Sequence, residues 1–99
     1  MLYPFMTRND GTEITFSPVR YIDGKEVVSV CSERWSPEKN DFETLCVRFP
    51  GAIIEEANAL NEEEIAQIMN FLAIYEPLYF RFARQGGIGQ RNYKSERSL

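Results

Sequence analysis

The sequence predicts an α+β fold, in which an antiparallel β-sheet meander of four to five strands is packed on one face by a C-terminal helix. Three observations support this prediction. Local hairpin signals fill the first half of the chain, residues 25–49 contain a hairpin whose register can be derived, and residues 61–85 have helical periodicity. Because hairpins precede helices, strands and helices are expected to form separate layers rather than βαβ units.

The first predicted hairpin joins Leu2–Thr7 to Thr12–Phe16 through the turn Arg8-Asn9-Asp10-Gly11. Asn, Asp and Gly supply the local hydrogen bonds and the positive φ that such a reversal requires. A loop of three residues and a loop of four residues both fit this stretch. The sequence therefore leaves open whether Phe5 or Met6 faces the second strand.

A second hairpin follows a break in the strand pattern at Ser17-Pro18, since proline donates no backbone hydrogen bond. The short strand Val19–Ile22 then leads through Asp23-Gly24 into Lys25–Trp35. An Asp-Gly pair between β-rich segments is the strongest short hairpin signal. We expect these two segments to pair.

Lys25–Trp35 is also predicted to pair antiparallel with Phe42–Phe49 around a loop formed by Ser36–Asp41. In this register the directly opposed pairs are Trp35–Phe42, Arg34–Glu43, Cys31–Cys46, Val30–Val47 and Val28–Phe49. Aromatic, charge-matched and β-branched pairs all occur together, and directly opposed side chains are the stabilising unit of a sheet. A slip of one residue would break every pair and exchange the two faces.

This central hairpin is predicted to be apolar on both faces. One face carries Val28, Val30, Leu45, Val47 and Phe49, and the other carries Val27, Cys31, Trp35, Phe42 and Cys46. Each apolar face must be buried by another part of the chain or by a partner. The C-terminal helical region can bury one of them, and the chain offers no obvious second element for the other. Trp35 and Phe42, with Val27 alongside, therefore either lie beneath the first hairpin or form an interaction surface.

Two cysteines are too few for the disulfide framework of a small secreted protein. The predicted register places Cys31 directly opposite Cys46, so that a bridge between them is geometrically feasible. The simpler expectation is a pair of reduced, partly buried thiols that act as small apolar side chains.

The last predicted strand ends at Pro50-Gly51, and Ala52–Ala59 is either a brief edge strand or a packed connection. Asn61 is predicted to cap the clearest helix, because Glu64 stands at the third helical position and completes a variant of the capping box. Apolar residues then recur at three- and four-residue spacing and form one stripe. The stripe consists of Ile65, Ile68, Met69, Leu72 and Tyr75.

Pro77 is predicted to kink or break this helix near Tyr75 or Glu76, because it lacks the N–H group that the helix requires. Proline suits a first helical turn, so a second helix is expected over Pro77–Gln85, with Gly86 as its C-terminal cap. The predicted core draws on both layers. Its members are Val28, Val30, Leu45, Val47, Ile65, Met69, Leu72 and Tyr79.

The net charge of −4 is unevenly distributed. Residues 1–80 carry a net charge of −8, and residues 81–99 carry a net charge of +4. We expect a single domain over residues 1–88, followed by a basic, flexible tail over residues 89–99. The charges are either a solvated surface or a means of partner recognition. Candidate partner-binding residues are Arg81, Arg84, Arg91, Lys94 and Arg97, together with Val27, Trp35 and Phe42.

The chain contains no histidine, which removes the usual general base and the commonest metal ligand. The two cysteines have the spacing of no known zinc motif and no evident activating base. Glu62-Glu63-Glu64 is best explained by electrostatics at a helix start. We therefore predict that the protein is not an enzyme and uses no cofactor or metal.

These features favour a non-enzymatic interaction module that self-associates as a homodimer, or binds a protein partner, through its second sheet face or an edge strand. The alternative is a small acidic inhibitor, encoded by a phage or mobile element, of a host nucleic-acid-handling or defence enzyme. Nucleic acid and membrane are not expected as partners, since the body is acidic and no apolar run approaches the roughly 20 residues of a membrane span. A cytoplasmic location is expected, because the short apolar N-terminus lacks a basic leader.

The N-terminal string Met1-Leu2-Tyr3-Pro4-Phe5-Met6-Thr7, followed by Asp10-Gly11-Thr12-Glu13-Ile14, resembles a family of small uncharacterised bacterial proteins of gut anaerobes. The similarity continues through Phe42, Cys46, Pro50 and the acidic helix start to residues 83–88. The resemblance implies a bacterial or phage origin and assigns no functional residue.

Overall fold

The computed structural model describes residues 2–87. Met1 and residues 88–99, which include the predicted tail, lie outside the described residues. The fold is α+β, as predicted, with a six-stranded antiparallel sheet followed by two helices. The elements are β1 (Tyr3–Thr7), β2 (Glu13–Phe16), β3 (Arg20–Ile22), β4 (Lys25–Ser36), β5 (Asp41–Phe49), β6 (Ile53–Asn58), α1 (Glu62–Ile74) and α2 (Glu76–Gln85).

The sheet has six strands, so the prediction of four to five was too low. The strand order is β1-β2-β4-β5-β6, and β3 also pairs with β4. Between β2 and β3, the Ser17 N–H donates to Ser29 O at 2.8 Å and the Ser17 hydroxyl accepts from the Ser29 N–H at 3.0 Å. The serine side chain thus maintains the contact with β4 where Pro18 interrupts the pairing, as expected of proline.

The predicted register of the central hairpin is confirmed from Val28 opposite Phe49 to Trp35 opposite Phe42. Pairing continues to Ser36 and Asp41, so the loop is shorter than predicted and consists of residues 37–40. In the first hairpin, Met6 faces Ile14. A bulge at this point in β1 leaves room for both Phe5 and Met6 to pack against the core.

Within the stretch 52–59, Ile53–Asn58 form an edge strand, so the first of the two alternatives for this stretch is correct. All six residues of β6 are exposed. The register shifts between Cys46 and Val47, because Glu56 pairs with Cys46 and Ile54 pairs with Val47. Glu55 is therefore the extra residue of a β-bulge.

The capping box at the start of α1 is confirmed. The Asn61 side chain accepts from the Glu64 N–H at 2.8 Å, and the Glu64 carboxylate accepts from the Asn61 N–H at 2.9 Å. The C-terminal region forms two helices rather than one kinked helix, since α1 ends at Ile74 and Pro77 lies in the first turn of α2. Gly86 caps α2 with a φ of 81°, a left-handed conformation that glycine adopts without strain.

Tyr79 is at the centre of the core, between the sheet and the helices. It is fully buried, and its ring centroid lies 5.0 Å from that of Phe5 and 5.8 Å from that of Phe49. Its hydroxyl donates to Leu72 O at 2.8 Å, and burial raises the pKa of Tyr79 well above its ordinary value. The predicted core residues Val28, Val30, Leu45, Val47, Leu72 and Tyr79 are buried, whereas Ile65 and Met69 are partly buried.

No helix within residues 2–87 has both the length and the apolar character needed to cross a membrane.

Candidate functional site

One face of the sheet packs against both helices, and the opposite face carries no helix of residues 2–87. We call the second one the open face. Side chains alternate along a strand, so the open face receives every second residue of β2, β4 and β5. Its members at the end near the β4–β5 loop are Glu13, Thr15, Cys31, Glu33, Trp35, Phe42, Thr44, Cys46 and Glu56.

Trp35 and Phe42 form an aromatic pair on the open face. Their ring centroids lie 5.1 Å apart at an interplanar angle of 70°, and the two residues are 47% and 46% exposed. The aromatic residues of the first hairpin lie on the other side of the sheet, where Tyr3, Phe5 and Phe16 pack against the core. The alternative in which this hairpin buries Trp35 and Phe42 is therefore wrong.

The other predicted partner-binding residues do not join this aromatic pair. Val27 is 7% exposed where β3 pairs with β4, so it offers little surface. Arg81 and Arg84 are exposed on α2, which belongs to the helical layer, and Arg84 donates to Glu26 at 3.1 Å. The remaining three, Arg91, Lys94 and Arg97, lie outside the described residues.

Cys31 and Cys46 form a disulfide in the middle of the open face, with a Cα–Cα distance of 4.1 Å. The expectation of two reduced thiols was wrong. The register permits the bridge, because it places the two residues directly opposite each other on neighbouring strands. The bridge joins β4 to β5 beneath the exposed side chains of the face.

Three carboxylates surround the disulfide. Glu13 and Glu33 lie directly opposite each other, an arrangement of like charges that normally destabilises a sheet. Glu56 lies opposite Cys46. Thr44 donates to Glu33 at 3.4 Å, and none of the three carboxylates forms an ion pair with a cation of residues 2–87.

A basic cluster occupies the other end of the open face, near β3. The Glu55 carboxylate lies 3.7 Å from the Arg20 guanidinium and 3.9 Å from that of Arg48. The Ser29 hydroxyl donates to Glu55 and accepts from Arg20. The two arginines therefore share one carboxylate that the bulge in β6 turns toward them.

On the helical side of the sheet there is a cavity of about 390 Å³, which we call the polar cavity. Its floor is formed by β4 and β5, one wall by the β1–β2 loop, and the other wall by α1. Residues from these elements that line it include Arg8, Asp10, Thr12, Ser32, Arg34, Glu43, Leu60, Glu64, Ile68 and Phe71. Ser32, Thr12 and Glu43 are each less than 10% exposed.

A network of charges closes one end of the polar cavity. The Glu43 carboxylate accepts from Arg34 Nη2 at 2.6 Å and lies 2.8 Å from Lys39 Nζ. Lys39 also lies 3.0 Å from Glu64. The buried carboxylate thus has two cationic partners, which is the condition under which a buried charge is tolerated.

Acidification is expected to weaken the fold through Glu43. The hydrogen bond from Lys39, followed by that from Arg34, holds the pKa of Glu43 below its ordinary value of 4.5. The pKa of Glu43 is lower in the folded state than in the unfolded state, so the ionised carboxylate stabilises the fold. This stabilisation is fully present at pH values above the pKa of the unfolded state. It is lost as the pH falls through the pKa of the folded state. Urea unfolding measured between neutral pH and about pH 3 should show this loss.

Glu43→Gln is the matched variant for this measurement. It should be less stable than the wild type at neutral pH and should lose less stability on acidification. An acid dependence equal to that of the wild type would show that other carboxylates account for the effect.

The polar cavity was missed at the level of sequence, although a signal for it exists. Along the helical face of β4, the apolar residues Val28 and Val30 are followed by Ser32 and Arg34. This change from apolar to polar residues on one face indicates that the core ends halfway along the strand. The pairing of Arg34 with Glu43 was predicted, whereas the neighbouring cavity was not.

Comparisons with protein-family models, with curated proteins and with solved structures found no match to this chain. Within residues 2–87, no group of three or more acidic or cysteine side chains is arranged to hold a metal ion.

Proposed function

We propose that this chain is a non-enzymatic protein-interaction module that binds a protein partner through its open face. The observation that carries the proposal is the half-exposed Trp35–Phe42 pair. Tryptophan and other large aromatic side chains supply much of the binding energy at protein interfaces when a partner covers them. The Cys31–Cys46 disulfide supports this role, because it fixes the two strands that carry the pair.

The charge of the neighbouring surface favours a partner with basic side chains. Glu13, Glu33 and Glu56 lie on the same face as the aromatic pair and form no ion pair with a cation of the described chain. A twofold dimer centred on Trp35 and Phe42 would bring these carboxylates toward their own copies. Electrostatic complementarity therefore supports a basic partner over a second copy of the chain.

The β6 edge is a poorer candidate for the interface. Two isoleucines, Ile53 and Ile54, are 45% exposed there. However, the bulge at Glu55 and the adjacent charge of Glu56 disrupt a regular edge, and both are devices by which proteins prevent strand addition. The face of the sheet, rather than its edge, is therefore the proposed contact.

A second candidate function is inhibition of an enzyme that handles nucleic acid. The direct opposition of Glu13 and Glu33 favours it, because closely spaced carboxylates can occupy basic side chains that otherwise contact phosphates. In this case the partner's basic surface would be its nucleic-acid site. Displacement of the bound chain by double-stranded DNA would distinguish this candidate from binding at another basic surface.

Trp35→Ala is expected to weaken partner binding by about 30-fold, the effect of an interface residue worth about 2 kcal/mol. It should cost the isolated chain about 1 kcal/mol or less, because Trp35 is 47% exposed and lies outside the core. Binding should be measured by capture of a partner from extracts of the source cells on the immobilised full chain, followed by titration with the purified partner. The midpoint of urea unfolding gives the stability.

Two further variants sharpen this experiment. Glu33→Arg reverses a charge beside the aromatic pair and should also weaken binding, whereas Ile74→Ala changes a residue of α1 that is 67% exposed and should leave binding unchanged. The interaction should weaken as salt is raised, since exposed charges are screened. A partner that binds all variants equally would contradict the proposal.

The solution mass, measured by light scattering over a dilution series, decides between the two kinds of partner. A mass equal to one chain at every concentration is expected. A stable dimer that Trp35→Ala dissociates would replace the basic partner with a second copy.

A further inference from the structure

The polar cavity contains hydrogen-bond donors that the described chain leaves unused. The guanidinium of Arg8 lies over the Phe71 ring, 4.2 Å from its centroid. Arg8 is exposed and forms no ion pair with a carboxylate of residues 2–87. Stacking on Phe71 therefore holds the Arg8 guanidinium at the cavity wall, and its N–H groups remain available for hydrogen bonds to a ligand.

Arg34 supplies a second set of donors. Its Nε and Nη2 groups donate to Glu43 at 3.0 and 2.6 Å. Its Nη1 group lies 3.7 Å from the Asp10 carboxylate, which is beyond hydrogen-bond distance. One edge of this guanidinium is thus bound to Glu43, and the remaining nitrogen has Asp10 as an ion-pair partner but makes no close hydrogen bond to it.

The carboxylates around the cavity are occupied by groups of the chain itself. Glu43 is held by Arg34 and Lys39, and Glu64 by Lys39 and the Asn61 N–H. Asp10 accepts the Thr12 N–H at 2.9 Å. The hydrogen bond with the Thr12 side chain, followed by that from the Thr12 N–H, holds the pKa of Asp10 below its ordinary value. Glu43 and Glu64 are thus occupied by groups of the chain, whereas Asp10 interacts electrostatically with Arg8 and Arg34 without a close hydrogen bond to the Arg34 guanidinium.

The rest of the lining suits an organic molecule. Leu60, Ile68 and the Phe71 ring form an apolar wall on the side of α1, and the buried Ser32 lies on the floor. The volume of about 390 Å³ falls within the range of small-molecule sites, which combine apolar walls with a few polar groups.

We propose that the polar cavity binds a small organic oxyanion, either a carboxylate or a phosphate ester. The charged group contacts Arg8 and Nη1 of Arg34, and the apolar part of the ligand lies against Phe71. Arginine forks match the geometry of both oxyanions. This site lies on the opposite side of the sheet from Trp35 and does not depend on the proposed protein interaction.

The test is a titration of the isotope-labelled full chain, followed by the backbone amide signals in NMR spectra. The probes are benzoate, phenyl phosphate and the neutral analogue benzamide. Benzoate or phenyl phosphate should shift the signals of Thr12, Ser32 and Gln67, all of which line the cavity, and whichever binds more tightly identifies the oxyanion. Benzamide should bind at least about tenfold more weakly, because it lacks the charge that the guanidinium groups recognise.

Four variants identify the residues responsible. Arg8→Gln should weaken binding of the oxyanion at least about tenfold. Arg8→Lys should keep part of the affinity, because lysine retains the positive charge but lacks the paired N–H donors of the guanidinium. Asp10→Asn should strengthen binding, since it removes a negative charge beside Arg34. Arg81→Gln, on the exposed part of α2, is the matched control and should have no effect.

Three results would overturn the proposal. The first is that millimolar probe shifts no NMR signals, or shifts only signals of residues outside the cavity. The others are that benzamide binds as tightly as benzoate, or that a folded Arg8→Gln variant binds the probes with unchanged affinity. Trp35→Ala should leave the affinity for these probes unchanged. The proposal for the polar cavity can therefore be refuted without affecting the proposed protein interaction at the open face, and the reverse also holds.

Discussion

Tyr79→Ala is expected to reduce the free energy of unfolding by about 4 kcal/mol, the effect of removing a fully buried aromatic ring. Tyr79 is 0% exposed and contacts aromatic rings from three strands, including those of Phe5, Phe16 and Phe49. These neighbours come from both the sheet edge and its centre, so they cannot close together over the space left behind. Urea unfolding followed by far-UV circular dichroism measures the loss.

Tyr79→Phe separates the ring from its hydroxyl. This variant keeps the packing and loses only the hydrogen bond to Leu72 O, for which a cost of about 1 kcal/mol is expected. If Tyr79→Ala and Tyr79→Phe cost the same, the hydroxyl rather than the ring would be the main contribution. If Tyr79→Ala leaves too little folded protein to measure, the Phe variant still reports the hydrogen bond.

Reduction of the Cys31–Cys46 disulfide is expected to lower the free energy of unfolding by about 3 kcal/mol, the loop-entropy value for a closed loop of this length. The two residues are 15 positions apart in sequence. Their strands also pair along the whole hairpin, so reduction should leave the register intact. Urea unfolding with and without dithiothreitol measures the difference, and circular dichroism before unfolding reports the retained sheet.

The double variant Cys31→Ser, Cys46→Ser is the control for this experiment. Its stability should match that of the reduced wild type more closely than that of the oxidised wild type, and it should not respond to dithiothreitol. A wild type whose unfolding is unchanged by dithiothreitol, with thiols shown to be free, would contradict the expected contribution of the bridge.

The central hairpin and the helix cap could be predicted because their signals are local. Opposed residues such as Arg34 and Glu43 identify a register through their own chemistry, and Asn61 with Glu64 forms a cap within four residues. The pairing of β3 with β4 was predicted from the Asp23-Gly24 turn and is confirmed. The bridging role of Ser17 could not be derived in this way, because it is visible only once β4 is beside it.

The candidate sites were predictable in part. The exposed Trp35–Phe42 pair follows from strand alternation, once it is clear that the helices cover one face only. The disulfide did not follow, since the same register fits two reduced thiols. The polar cavity could not be predicted without the tertiary structure, because the approach of Arg8 to Phe71 joins a turn near the N-terminus to the last turn of α1.

The central position of β4 has a consequence for local opening of the molecule. β4 has β5 along one edge and β2 and β3 along the other, so its backbone amides are enclosed on both sides for much of its length. Proton exchange with solvent at Val28 and Val30 should therefore require opening of the whole sheet, whereas β6 can detach from β5 alone. In deuterated water we expect the amides of β6 to exchange first and those of β4 last, so that β4 reports the global stability of the fold.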